Sequence, residues 1–284
     1  MINAEYIPDS ALLKLQNEEL RLFRLFKEYC EKHEINYYLA FGTLLGAVRH
    51  GGFIPWDDDV DLLIARPDYD RLFEAIKSDP PTEFGVYSYK DASIEDTNLS
   101  YQCKITSPNM KILREVGDKI EEQQVWIDLF TIDGMPDNYI LRTVHLWKIQ
   151  AALTRIRIAR SSRQGSMPNK KRRMLERIAI ILLRLIPVGK LFSIKNSVDH
   201  LHSVLSKYPI RKNGPVIGYA PEYGEKCVTQ WDNFGDGKEI LFEGVLARVP
   251  VNSEKLLSTW YGEWRLLPPI EKRKPKHSFQ VVDM

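Results

Sequence analysis

Cysteine is scarce in this chain of 284 residues, and the three that occur are Cys30, Cys103 and Cys227. Their wide spacing excludes a disulfide framework and a zinc site, since both need paired or clustered cysteines. Long apolar runs are also missing: the longest, 178–183, ends at Arg184 and falls well short of the roughly 20 residues that a membrane-spanning helix needs. The first twenty residues show no secretory signal. We therefore expect a cytoplasmic protein in a reducing compartment.

A large net charge is missing too, because 40 lysines and arginines nearly balance 38 aspartates and glutamates, for a net +2. This balance hides a strong asymmetry along the chain. Residues 142–195 contain 14 basic residues and one acid, Glu176, and so carry a net +13, whereas the other 230 residues carry a net −11. A basic segment of this kind favours an anionic partner or surface. No recognisable nucleic-acid-binding module accompanies it, so we expect no nucleic-acid partner.

The hydrophobic pattern predicts an α/β (α+β) fold for the N-terminal half. An amphipathic helix begins after the N-cap candidates Asp9 and Ser10 and runs to about His33. The next expected elements are a strand over 37–41, a tight turn at Gly42-Thr43, a helix over 44–50 closed by Gly51-Gly52, a strand from 62 to 65 whose first residues carry acids, and a helix from Pro67 to about Lys77.

Weaker patterns predict further elements in the rest of the chain and a division of the whole chain into three parts. Further strands are expected over 84–89, 101–113 and 126–130, the last ended by turn chemistry at Asp133-Gly134, and the C-terminal part predicts structure over 241–245 and a helix near 254–260. No internal repeat is visible. We predict a catalytic core over 1–140, a basic helical region over 141–208, and a C-terminal part over 209–284 that completes the active site.

Four carboxylates lie within five residues, directly before an apolar strand: Asp57, Asp58, Asp59 and Asp61. Held together they repel one another, and a divalent cation relieves that cost. Alternation along a strand puts Asp57, Asp59 and Asp61 on one face, so Asp59 and Asp61 can offer two oxygen ligands to one Mg²⁺ ion. A solvated acidic turn is the alternative. An EF-hand loop is excluded, because position six is Leu62 where Gly is required.

Asp128 is the third acidic element, and its neighbours Ile127, Leu129 and Phe130 are all apolar. A buried carboxylate needs a cation or hydrogen-bond donors. A neighbouring strand can place Asp128 against Asp59 and Asp61. Three converging carboxylates are typical of a metal site for phosphoryl transfer, whereas an Asp that only binds a backbone group or an arginine is the structural alternative.

Two segments, FGTLLGAVRH over 41–50 and GFIPWDDDVD over 52–61, together resemble the signature of the LicD family of phosphotransferases, relatives of fukutin. Residues 128–130 with Asp133-Gly134 resemble the next block of that family. The C-terminal block is similar at 261–262, 267–269, 271–273 and His277. The resemblance therefore covers both ends of the chain and leaves the basic middle with least support.

The resemblance implies a nucleotidyltransferase-type fold with a mixed sheet, in which Gly42-Thr43 precedes the Asp59/Asp61 pair and Asp128 follows on a later strand. Thr43 departs from the wider superfamily, where Gly or Ser is more usual. LicD-like proteins move phosphocholine, or a comparable phosphoalditol, from a CDP-linked donor to a sugar hydroxyl of a surface glycan such as teichoic acid, lipopolysaccharide or capsule. CMP leaves. The metal implied is Mg²⁺, with Mn²⁺ as the alternative, on Asp59, Asp61 and Asp128, which are the expected catalytic residues.

Substrate-binding roles are expected for a wider set of residues. Backbone N–H groups at Gly42 and Thr43, at a helix N-terminus, suit a diphosphate. Arg49 suits a phosphate or, equally, the C-terminal dipole of its own helix. Trp56 suits cytosine, a choline trimethylammonium or simple core packing. The remaining candidates are Asp58 and, in the C-terminal part, Lys272, Arg273 and His277. For the last three a solvated basic tail is the alternative.

The basic segment predicts a membrane contact. Lys170, Arg173, Arg177 and Arg184 fall on one helical stripe, with apolar residues around it, so 170–186 can lie on an anionic leaflet near a lipid-linked acceptor. A buried helix with outward arginines is the alternative. We expect a peripheral position on the inner face of the plasma membrane. A glycosyltransferase with an Asp-x-Asp metal site and a non-enzymatic membrane adaptor remain the rival functions.

Overall fold

The structure, a computed structural model, is described for residues 8–90, 99–116, 119–164, 193–220, 223–277 and 279–282. Its helices are α1 Ser10–Lys32, α2 Phe41–His50, α3 Arg66–Ser78, α4 Tyr139–Gln164, α5 Ile194–Leu205 and α6 Ser253–Tyr261. Its strands are β1 Tyr37–Leu39, β2 Asp61–Ala65, β3 Gly85–Tyr87, β4 Cys103–Val116, β5 Lys119–Gly134, β6 Pro215–Gly218, β7 Val228–Gln230, β8 Lys238–Phe242, β9 Val245–Val249 and β10 Phe279–Val282.

One mixed sheet organises the fold. Its central path runs β1-β2-β5-β4-β10, with β3 on β4, and β6 and β7 extending from β5. β2 and β5 are parallel, whereas β1–β2, β4–β5 and β4–β10 are antiparallel. β8 and β9 form a separate hairpin. The predicted α+β fold with a mixed sheet is confirmed, while the boundaries of the three predicted parts stay a prediction.

Helix α1 covers one face of this sheet. Asp9 caps it by accepting a hydrogen bond from the Leu12 amide at 2.8 Å, as predicted. Its apolar face packs on β4 and β5, and its buried members are Leu12, Leu15, Leu22, Phe23 and Phe26. The same helix turns Glu18 and Glu19 inward, so acidic side chains also face the sheet.

One of the sequence predictions, the turn at Asp133-Gly134, is wrong. Asp133 and Gly134 do not form a turn: β5 runs through both and pairs with β6 there. A Cβ on Gly134 would stand 2.1 Å from the Pro209 carbonyl oxygen, so the glycine serves close packing of two chain segments. Within 241–245, where the sequence predicts structure, Glu243 and Gly244, both with positive φ, form the turn between β8 and β9.

The basic region contributes α4 and α5, which pack against each other. The buried side of α4 carries small and branched apolar side chains: Ile149, Ala152, Leu153, Ile156 and Ala159. The stripe predicted to contact a membrane, 170–186, lies outside the described residues. Within the described part of the chain, no helix combines the length and the apolar character that crossing a bilayer demands.

Asp133 anchors a buried ion pair between α3 and the sheet. The Arg66 guanidinium donates from Nε and one terminal nitrogen to the two Asp133 oxygens, each at 2.7 Å, and also to the Thr131 hydroxyl at 2.9 Å. The Asp133 side chain is only 1 % exposed. The carboxylate that resembled turn chemistry in the sequence therefore stabilises the start of α3 against β5.

We expect Asp133→Asn to lower the free energy of unfolding by about 3–5 kcal/mol, because it leaves the charge of Arg66, whose side chain is 13% exposed, without a counter-charge. Asp137→Asn is the matched control, since the Asp137–Arg211 pair is largely exposed and is worth at most about 1 kcal/mol. Urea denaturation of both variants measures the difference. Equal, small losses would contradict the assignment.

Candidate active site

Three neighbouring strands place two aspartates and a lysine side by side. Asp61, the first residue of β2, lies opposite Asp128 of β5 in the parallel pairing, and Asp128 lies opposite Lys104 of β4 in the antiparallel one. The Asp128 amide also donates to the Val60 carbonyl at 2.8 Å. All three side chains line a cavity of about 270 Å³. The predicted approach of Asp128 to the acidic cluster is thus present in the structure.

The other acids of the cluster lie in the irregular segment that leads into β2. Asp58 and Asp59 line the cavity together with Glu19 of α1. Asp57 lies outside the lining, against the first turn of α2, where its Oδ2 would be 2.9 Å from a Cβ on Gly42. The strand begins only at Asp61, so the alternation that predicted a shared face for Asp57, Asp59 and Asp61 does not apply before that residue.

The electrostatics of this cluster are unfavourable as they stand. Burial, and then the charges of Asp59 and Asp58, raise the pKa of Asp57 well above its usual value. Burial raises the pKa of Asp61 in the same way, with Asp59 and Asp128 as the next causes. The pKa of Glu19 is raised by burial and by the whole cluster. The local structure therefore disfavours the charged form of each of these side chains.

Three buried carboxylate oxygens in this region accept no hydrogen bond from the described residues: Glu19 Oε2, Asp57 Oδ2 and Asp128 Oδ1. Buried acceptors of this kind are costly unless something binds them. Hard oxygen ligands around one cavity are the donor set of Mg²⁺ or Mn²⁺. The residues present therefore fit a divalent cation.

The tightest group of potential ligands differs from the predicted one. Among the described residues, Asp58, Asp59 and His277 are the three whose ligand atoms all lie within 4.8 Å of one another. Asp58, however, already accepts from the His277 amide at 2.8 Å, the Lys276 amide at 3.3 Å and His277 Nδ1 at 3.1 Å. Its oxygens therefore serve the C-terminal segment, whereas the other carboxylates that line the cavity are Glu19, Asp59, Asp61 and Asp128. The predicted metal ligands Asp59, Asp61 and Asp128 stay a prediction.

Asp58 therefore ties the C-terminal segment to the cavity. Burial opposes the charged form of Asp58, but the hydrogen bonds and charge of His277 outweigh it and lower the pKa below the usual value. Lys276 reaches Asp59 with Nζ at 3.7 Å from Oδ2, and β10 continues from this point onto β4. Lys276 and His277 consequently form one wall of the cavity. His277 was predicted from the sequence, and Lys276 was missed.

A second cationic wall was also missed. Lys104 Nζ lies 3.5 Å from the centre of the Trp126 ring, and Arg114 Cζ lies 5.3 Å from it. Trp126 Nε1 donates to Asp128 Oδ2 at 3.1 Å, which fixes the ring beside the acids. Burial lowers the pKa of Lys104. Alternation in β5 was the available signal, because the buried Val125, Ile127 and Leu129 leave Trp126 and Asp128 on the opposite face.

Gly42 and Thr43 lie in the first turn of α2, which begins at Phe41, three residues before the predicted start. The Thr43 hydroxyl oxygen accepts from the Asp61 amide at 2.9 Å and so fixes the first residue of β2. Gly42 leaves room for the Asp57 carboxylate. Gly51 ends the helix in the left-handed conformation, as predicted. The described part of the cavity lining does not include Gly42 or Thr43 themselves.

Four further predicted residues lie apart from this lining. Arg49 donates to the carbonyl of Trp264 at 2.7 Å, so it stabilises the chain after α6. Lys272 is exposed. Arg273 donates to the Pro268 carbonyl at 3.0 Å and lies 5.9 Å from the Trp56 ring centre, and this ring packs against the hydrophobic core. In this structure Arg49, Arg273 and Trp56 make local structural contacts, and the substrate-binding role of all four residues stays a prediction.

Comparison with known proteins shows which family this chain resembles. Residues 34–145 match the LicD/FKTN/FKRP nucleotidyltransferase domain. The chain is 27% identical over 260 residues to the lipopolysaccharide cholinephosphotransferase LicD of Haemophilus influenzae. This alignment covers 91% of this chain and 92% of that protein. A 28-residue stretch, 10% of this chain and 6% of the relative, is 64% identical to human ribitol 5-phosphate transferase FKRP. The resemblance to the LicD family is confirmed.

We expect Asp58→Ala to release the C-terminal segment, because the amides of Lys276 and His277 lose their charged acceptor. Hydrogen bonds to charged groups are worth about 1.5–3 kcal/mol, so amide exchange at these two positions is expected to rise by about tenfold to 100-fold. Asp59→Ala is the matched control. Asp59 contacts the side chain of Lys276 and not the two amides, so amide exchange at these two positions is expected to rise less in this variant. Unchanged exchange in Asp58→Ala would contradict the tether.

Proposed function

Because residues 34–145 carry a LicD-type nucleotidyltransferase domain, we propose that this protein transfers phosphocholine, or a similar phospho-group, from a CDP-linked donor to a hydroxyl of a cell-surface glycan precursor. The observation that carries the proposal is the cavity in which Asp61 and Asp128, paired in register, lie beside Lys104. In phosphoryl transfer, carboxylates bind a cation and basic side chains bind phosphate oxygens within one site. The comparisons support phospho-group transfer as the reaction class.

Asp59, Asp61 and Asp128 would hold the cation, Mg²⁺ or Mn²⁺. A bound divalent ion neutralises the charge that develops on the phosphate oxygens during transfer. The raised pKa values of Asp59 and Asp61, for which burial is the main cause, fit carboxylates whose counter-charge arrives with the substrate or the ion.

Lys104 and Lys276 approach the acids from two sides of the cavity. We propose that they bind oxygens of the donor diphosphate, with Arg114 beside Lys104 as a further cation. A buried lysine whose pKa is lowered by burial gains most from an anionic partner, because a phosphate restores the charge balance. The N-terminus of α2 adds a weaker attraction for anions.

The proposed reaction is a displacement at phosphorus. An acceptor hydroxyl oxygen attacks the phosphorus that carries the transferred group, and the bond from that phosphorus to the bridging oxygen breaks, so CMP leaves with the electron pair. The hydroxyl proton passes to a carboxylate of the site or to solvent. Charge stabilisation and positioning supply most of the rate in such transfers. The expected acceptor is lipid-linked, and the role of 170–186 in reaching it stays a prediction.

Glycerol- or ribitol-phosphate transfer is the second candidate, and one observation favours it. Lys104 lies on one face of Trp126, so that face is closed to the trimethylammonium of choline, which prefers an open aromatic face. Serine and glutamine side chains at 100 and 102 also line the cavity and suit hydroxyl groups. The short FKRP match points the same way. The rival glycosyltransferase does not require the separate Asp128 that lies in this cavity.

We expect CMP release from at least one of CDP-choline, CDP-glycerol and CDP-ribitol in the presence of Mg²⁺, measured by product mass. Asp61→Asn and Asp128→Asn are expected to lower this rate by about 100-fold or more, since each removes a ligand of the ion. Asp236→Asn, at an exposed position, is the control. Turnover of nucleotide sugars alone, or full activity in both site variants, would overturn the proposal.

A further inference from the structure

The first three turns of α4 expose an apolar surface to solvent. Its members and their exposed fractions are Tyr139 73%, Ile140 70%, Leu141 55%, Val144 38% and Trp147 68%. They make up the largest run of exposed large apolar side chains within one element of the described chain. We call this set the α4 apolar patch. Patches of this kind on soluble proteins mark contact sites for membranes or proteins.

The patch is separate from the side of α4 that packs in the hydrophobic core. The opposite side of α4 already packs inside the protein through residues such as Ile149, Leu153 and Ile156, which are at most 3 % exposed. The helix therefore has a buried apolar side and, near its N-terminus, an exposed apolar side. Packing in the core does not account for the exposed side.

The charge around the patch has one sign. All 26 residues of α4 lack acidic side chains, whereas the helix contains six arginines and lysines, Arg142, Lys148, Arg155, Arg157, Arg160 and Arg163. Lys148 is exposed beside Trp147, and Arg142 lies 5.8 Å from the Tyr139 ring centre. The acid just before the helix, Asp137, pairs with Arg211 at 2.6 Å.

A further cation lies near the buried side of α4. Lys207, which follows α5, is exposed. Burial lowers the pKa of the buried His145 of α4, and the charges of Lys207 and Lys148 lower it further. The cations placed at the patch itself are Arg142 and Lys148 of α4.

We propose that the α4 apolar patch is a docking surface for an anionic lipid bilayer. Tyr139 and Trp147 match the preference of amphipathic aromatic rings for the headgroup region. Ile140, Leu141 and Val144 would insert among the acyl chains, and the flanking cations would bind anionic headgroups. This surface is distinct from 170–186, and the inference does not rest on the proposed chemistry.

A second copy of the chain fits the patch less well. A symmetric dimer places the same surface of both subunits in contact, so it would gather the cations of both α4 helices at one interface, and neither helix has an acidic side chain to pair with them. Like charges held together at an interface cost free energy. An anionic bilayer instead supplies the opposite charge and an apolar interior together.

Vesicle co-sedimentation of the full chain tests the inference. We expect binding to vesicles of phosphatidylglycerol and phosphatidylcholine, and weak binding to phosphatidylcholine alone. The double variant Ile140→Ser/Trp147→Ser is expected to bind the anionic vesicles about tenfold more weakly, since it removes inserted apolar groups. Lys148→Glu, which keeps the apolar groups, is expected to weaken binding by about fivefold or more.

The matched control is Leu241→Ser/Leu246→Ser, which removes two exposed apolar side chains that face each other across the β8–β9 hairpin. It is expected to bind vesicles as the unsubstituted protein does. Thermal unfolding of each variant checks that the fold is intact. Undiminished vesicle binding by the α4 double variant would overturn the inference, because another segment would then supply the contact. So would a dimer in sedimentation velocity that the α4 variant converts to monomer.

Discussion

The repulsion among buried carboxylates is the constraint on which the rest of this structure depends. Glu19, Asp58, Asp59, Asp61 and Asp128 line one cavity, and Asp57 lies just behind it. Such a cluster costs free energy that the fold has to offset. The offset is partly visible: Asp58 is satisfied by the C-terminal segment, and Lys104 and Lys276 bring positive charge to Asp128 and Asp59. The remaining demand is what a divalent cation and an anionic substrate would meet together.

The elements around the cavity are arranged to hold this cluster. Thr43 in the first turn of α2 accepts from the Asp61 amide, which connects the helix to the first residue of β2. β5 lies between β2 and β4, so its Asp128 contacts the parallel neighbour on one side and the antiparallel neighbour on the other. The C-terminal strand β10 closes the arrangement by pairing with β4, where Phe279 lies opposite Arg114. Contributions from such distant segments explain why both ends of the chain carry the family resemblance.

Local signals predicted much of this arrangement. The N-cap at Asp9, the glycine that ends α2 and the apolar strand before Ala65 all act within a few residues, and the structure has them where expected. Long-range pairing was not predictable in the same way. The side of the sheet that Lys104 faces depends on register across the irregularity between Thr106 and Lys111. The partner of Asp58 lies more than 200 residues away, and the partner of Asp133 is a buried arginine on another element.

The most direct test of the cation site is the melting temperature as a function of Mg²⁺ or Mn²⁺, at constant ionic strength. A ligand that binds only the folded state at 100 times its dissociation constant stabilises it by about 2.7 kcal/mol, so we expect a rise of several degrees. We also expect Asp61→Asn to remove most of that rise. A melting temperature that does not respond to either ion, or that responds equally in Asp61→Asn, would contradict a cation site at Asp61.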